Sequence, residues 1–130
     1  MLLSILIPAY QEAAKRGQVE LTTSPYYHPI LPLLCDLKSA LVALPSLQLP
    51  PMSFRHPQDA RRQLEEGIRR HEAAFGVPPQ GLWPPEGSVS EDVVQLALEE
   101  NVRWIATDEE ILWRTLKTSR SPSLLYRPHR

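Results

Sequence analysis

The chain predicts an incomplete parallel α/β fold, about four short strands alternating with helices across 130 residues. Two observations carry this expectation. Runs of strand-forming residues at 18–23, 80–83, 102–107 and 124–127 are separated by helical segments. Such alternation implies a parallel sheet with right-handed crossovers. The second strand also runs into Gly81-Leu82-Trp83-Pro84-Pro85-Glu86-Gly87-Ser88-Val89-Ser90, which sets one carboxylate, Glu86, between a strand end and a helix start. Loops at the C-terminal ends of strands are where α/β barrels carry their chemistry. Four strands make an arc, and the chain falls well short of the ~250 residues of a closed barrel. We expect one segment, 1–130, incomplete at both ends.

The elements follow in order. Residues 5–16 read as the end of a helix, with Gly17 at its C′ position. Residues 18–23 alternate and are rich in β-formers, so they predict the first strand, ended by Ser24-Pro25. Tyr26-Tyr27-His28-Pro29 is a loop. Asp36 caps a short helix through Leu44, and residues 45–56, with three prolines, are irregular. Pro57 opens the clearest helix, with Ala60, Leu64, Ile68 and His71 or Phe75 on one face and Gly76 at its end. Leu82 and Trp83 suit a buried strand, which Pro84 and Pro85 stop because neither donates to a ladder. Ser88 and Glu91 have capping-box spacing, and the helix 90–100 turns Val93, Val94, Ala97 and Leu98 inward. Asn101 ends it before the third strand; Asp108 caps a helix through Leu116; Leu124-Leu125-Tyr126-Arg127 predicts the fourth strand.

Composition narrows the function. A formal charge of −1 with both signs interspersed argues against a phosphate-driven nucleic-acid binder. The apolar start, broken at Ser4 and Pro8, lacks the basic flank and cleavage site of an export signal and is too short to span a bilayer. We therefore expect a cytoplasmic protein with no membrane partner. A single cysteine, Cys35, excludes an intramolecular disulfide and reads as a small buried residue. The four histidines lack close metal-ligand spacing, and the glycine-rich phosphate fingerprints are absent, so no cofactor is implied.

Parallel strands share one C-terminal side, so Glu20 and His28, Glu86, and Asp108 with Glu109 converge if their strands are neighbours. Carboxylates beside Trp83, Tyr26 and Tyr27 suit a sugar site, because carboxylates serve as acid, base or nucleophile while aromatic faces stack on sugar rings. Each residue also has a structural reading. Glu86 favours a helix dipole, Asp108 is an N-cap, His28 a loop histidine, and the two tryptophans core. The strand face of Glu20 is undetermined by spacing.

Two stretches, residues 17–34 (Gly17-Gln18-Val19-Glu20 through His28-Pro29-Ile30 to Leu34) and Gly81 to Ser90, closely resemble motif regions of family 57 glycoside hydrolases. Trp104-Ile105-Ala106-Thr107-Asp108-Glu109 is similar to the strand that follows in that family. The resemblance implies a (β/α)7 barrel and retaining chemistry on an α-glucan. It implies Glu86 as nucleophile, Glu20 and His28 lining the sugar site, and Trp83 preceding the nucleophile. An aspartate would act as acid/base from a strand beyond Pro128, so the chain is expected to be inactive alone. The unpaired sheet edge is expected to favour self-association. Residues 69–87 and 104–108 are also similar to polysaccharide deacetylases, without their metal histidines or arginine. A non-catalytic sugar-binding relic is the third alternative.

Overall fold

A computed structural model describes residues 3–129. The first helix, α1 (Leu3–Lys15), ends at Gly17, whose φ of +66° is the left-handed conformation that glycine adopts without strain. Two short helices follow, α2 (Leu31–Cys35) and α3 (Ala40–Ala43). Asp36 accepts a hydrogen bond from the Lys38 N–H, opening a 3₁₀ turn (Leu37–Ser39) that runs into α3. The long α4 (Pro57–Phe75) begins at its proline and closes at Gly76 (φ +80°), as its sequence predicts. Then come β1 (Gly81–Leu82), α5 (Glu91–Glu99), β2 (Trp104–Ile105), α6 (Glu109–Leu116) and α7 (Pro122–Leu125).

The sheet is smaller than expected. β1 and β2 pair in parallel, Gly81 opposite Trp104 and Leu82 opposite Ile105. The anticipated strand at 18–23 shrinks to one parallel bridge, Thr23 with Leu82. Thr23 N–H donates to the Gly81 carbonyl (3.1 Å), and Trp83 N–H donates to the Thr23 carbonyl (2.8 Å). β1 is thus flanked on both sides. It cannot lengthen, since Pro79 and Pro84 bracket it and lack the N–H a ladder needs. Its partners are limited by the same bracket. The anticipated fourth strand at 124–127 is instead a helical turn, because Pro122 occupies the first turn of α7 and Leu124 N–H reaches back to Ser121. The predominantly helical architecture therefore keeps parallel pairing but forms no barrel among the described residues. No helix among these residues is long and apolar enough to cross a membrane.

The core gathers where α2, α4 and α5 meet β1. Leu31, Cys35, Ala60, Leu64, Leu82, Val93, Leu96, Ala97 and Val102 are buried together. Val93 and Ala97 face inward as expected, but Leu96 replaces Val94 and Leu98, which are exposed. The cap of α5 is Ser90, which accepts the Val93 N–H; Ser88 instead donates to the Pro85 carbonyl at 2.6 Å.

His71 is buried at 5 % exposure, bonded to the Thr22 backbone, with Nε2 unpartnered. Burial holds its pKa below the ordinary 6.5, and the Thr22 bond pulls the other way. The unfolded chain therefore binds a proton that the folded chain resists, so stability falls as pH drops through about 6.5 and is fully retained above it. The melting temperature is expected to decline between about pH 7.5 and 5.5. That slope should flatten in His71→Leu; an equal slope in both proteins would assign it to other groups.

Candidate active site

The ladder sets three chain segments running the same way, and each leaves its C-terminal end on one side. From Thr23 the chain leads to His28, from β1 to Glu86, and from β2 to Asp108. His28, Trp83, Glu86, Thr107, Asp108 and Glu109 line a cleft of about 420 Å³ there, with Gly87 and Ala106 completing its wall.

Glu86 is placed by its neighbours. The side chains of Pro84 and Pro85 are fully buried, anchoring the loop below. A 3₁₀ turn over Pro85–Gly87 then lifts Glu86, whose side chain is exposed, to the cleft. Gly87 N–H donates to the Pro84 carbonyl, and Thr107 Oγ1 donates to the Gly87 carbonyl at 2.8 Å. Glu86 itself lies at φ +55°, and His28 across the cleft at φ +57°. The other positive-φ residues that are not glycine among the described residues, Asn101 and Lys117, follow helix ends, where such a conformation is ordinary. His28 and Glu86 have no such excuse. Left-handed backbone costs a β-carbon-bearing residue about 1–2 kcal/mol, and such strain concentrates at active sites.

The remaining predicted residues separate. Trp83 is 57 % exposed and available to a ligand, with its carbonyl held by Ser24 Oγ at 2.9 Å. Strand alternation explains why: with Leu82 turned into the core, Trp83 must face away. Asp108 lines the cleft and also caps α6, accepting the Glu110 N–H at 2.8 Å. Glu109 lies 3.8 Å from Arg120. Glu20 is outside the cleft lining; its carboxylate accepts the Trp104 indole N–H at 2.8 Å. Tyr27 lines a separate depression. Thr107 and Ser24, which hold the loop carbonyls, were not singled out by sequence, although their places at strand ends were a signal. Among the described residues, no three His, Cys, Asp or Glu side chains gather closely enough to hold a metal ion.

Comparison with known proteins adds one decisive finding. The family model for glycosyl hydrolase family 57 matches residues 3–130, nearly the whole chain. The chain belongs to glycosyl hydrolase family 57. No curated protein and no solved structure gives a significant match. As a family 57 chain it is a member of a glycoside hydrolase family, and its cleft is to be read against carbohydrate.

Trp104 of β2 packs over β1, the strand that leads into the Glu86 turn. A β-carbon built on Gly81 would fall 2.2 Å from the Trp104 ring, so only glycine lets the indole lie over β1 and reach Glu20. Gly81→Ala is expected to push the half-exposed ring outward at a cost of about 1 kcal/mol, the worth of its lost hydrogen bond. A downfield indole N–H resonance moving to its free position would report it; an unmoved resonance would contradict it.

Proposed function

We propose that this family 57 chain carries the nucleophile side of a retaining α-glucan site, with Glu86 attacking the anomeric carbon. The observation that carries this reading is the strained, proline-anchored turn holding Glu86 in the cleft at the C-terminal end of β1, opposite His28 and beside exposed Trp83. Glu86 adds to the anomeric carbon as the glycosidic C–O bond breaks, giving a glycosyl ester. Water or an acceptor sugar then cleaves the ester with net retention. Trp83 offers its face to a sugar ring, and His28 hydrogen-bonds a hydroxyl.

The leaving oxygen needs a proton from a second carboxyl about 5–5.5 Å away. Asp108 is occupied in capping α6 and Glu109 lies beside Arg120, so neither is assigned that role. Turnover of unactivated α-glucan by these residues alone is therefore expected to be negligible.

An α-glucosyl fluoride carrying fluorine at C5 needs no protonation of its leaving group, and its ester hydrolyses slowly. Incubation with it should add one fluoroglucosyl mass to the chain, localised to the peptide containing Glu86. No adduct, or one elsewhere, would sink the assignment. Reproducible α-glucan hydrolysis by the purified chain, abolished in Glu86→Gln, would overturn the expected inactivity.

A further inference from the structure

Tyr27 and His28 are adjacent, about 3.8 Å apart along the backbone, yet they line different depressions. The one at Tyr27, about 300 Å³, is completed by Pro29, Leu34, Asp59, Arg62 and Gln63. Tyr27 is 78 % exposed. Its backbone N–H is tied to Gln63 Oε1 at 2.9 Å, and its ring meets Tyr26 edge-on with centroids 4.6 Å apart. The ring is therefore steadied at its base.

Asp59 and Arg62 stand three residues apart on α4, on one side of the helix. Both are exposed, and among the described residues neither side chain makes a hydrogen bond or an ion pair, even with the other. Arg61, by contrast, is bound to Glu99 and Glu100. An unpaired acceptor and an unpaired donor of opposite charge thus flank an exposed aromatic ring above an apolar floor of Pro29 and Leu34. An anion would meet Asp59, and a cation would meet Arg62. A neutral polyol, donating to one and accepting from the other while stacking on tyrosine, satisfies all three.

We propose that this depression binds a further glucosyl unit of the α-glucan seated in the cleft. Tyr27 stacks on the ring, and Asp59 and Arg62 hydrogen-bond its hydroxyls. The proposal rests on reading the cleft as an α-glucan site, and extends it across the 26–29 loop to select longer chains.

The test is titration of the ¹⁵N-labelled full chain with maltose and with maltoheptaose. Maltoheptaose is expected to shift the Tyr27, Asp59 and Arg62 amides as well as those of Glu86 and Thr107. Tyr27→Ala should weaken maltoheptaose binding roughly fivefold to tenfold and maltose binding much less. Arg62→Ala, also at an exposed position, should act in the same direction. Shifts confined to the cleft, or an unchanged maltoheptaose affinity in both variants, would overturn the second subsite and leave the cleft reading standing. Shifts confined to Tyr27, Asp59 and Arg62 would uphold sugar binding there while the cleft reading fell. No shift anywhere would overturn both.

Discussion

Glu86→Gln is expected to slow formation of the glycosyl-enzyme from an activated glucosyl fluoride by on the order of 10³-fold or more, with the fold intact. The amide keeps the shape of the carboxylate but lacks the anionic oxygen that forms the ester. The side chain is exposed, so little packing depends on it. Two smaller side chains separate chemistry from backbone strain. With Glu86→Gly, azide can enter the vacated space and attack the α-glucosyl fluoride from the face opposite the leaving group, giving a β-glucosyl azide. An α-azide would place Glu86 on the leaving-group side, as the acid/base, and defeat the nucleophile assignment. The same glycine variant should be more stable than Glu86→Ala by about 1 kcal/mol, since φ +55° suits glycine and strains a β-carbon. Equal melting temperatures for the two would show that the turn does not hold the conformation against its own preference. Trapping lost in both variants, with the glycine one the more stable, is the signature of a position whose conformation is kept for chemistry.

The placing of the cleft was legible because it follows from chain direction. Parallel strands share a C-terminal side, and Glu86, His28 and Asp108 each follow a paired segment, so knowing the alternation was enough to bring them together. The long α4 was legible for a local reason: Pro57 can begin a helix, Gly76 can end one, and the apolar spacing between them fits a single face. Extent and orientation were harder. Residues 18–23 have strand composition, but pairing requires a neighbour, and the bracketed β1 presents only two residues. At 124–127 the proline before the run outweighs its apolar character. The five residues of α2 show no period to read, and Pro32 disguises a helix start as a loop. In α5 the choice among Val94, Leu96 and Leu98 is a rotation of one face, settled by packing against α2 and α4. Tyr27 and His28 could not be assigned to different depressions from sequence, because the left-handed turn at His28 has no glycine to announce it.

Gly67→Ala is expected to destabilise the chain by about 3 kcal/mol and to disturb the cleft without touching it. Gly67 lies buried in the middle of α4, where alanine would ordinarily be the better helix former by about 1 kcal/mol. Here the sign reverses. A β-carbon at this position would sit 2.5 Å from the Ser24 carbonyl oxygen and 3.4 Å from the Tyr26 nitrogen. Both are backbone atoms, so no rotamer change relieves the overlap; α4 or the 24–26 segment must move. That segment is fastened to α4 by the Tyr26 N–H to the Gln63 carbonyl (2.9 Å) and by Thr23 Oγ1 to the Gly67 carbonyl (3.3 Å). It is fastened to the site by Ser24 Oγ on the Trp83 carbonyl and by the Thr23–Leu82 bridge. Pushing it outward therefore strains the seats of His28 and Trp83 together. Thermal melts should show the lost stability, and trapping of Glu86 by the activated glucosyl fluoride should slow even well below the melting temperature. Gly76→Ala provides the contrast: its added β-carbon meets nothing within 4 Å, and φ +80° alone makes it costly. It should lower stability by about 1 kcal/mol while leaving trapping unchanged. If Gly67→Ala instead raised the melting temperature as helix propensity alone dictates, the close approach of α4 to the 24–26 segment would be wrong, and with it the support it gives the cleft.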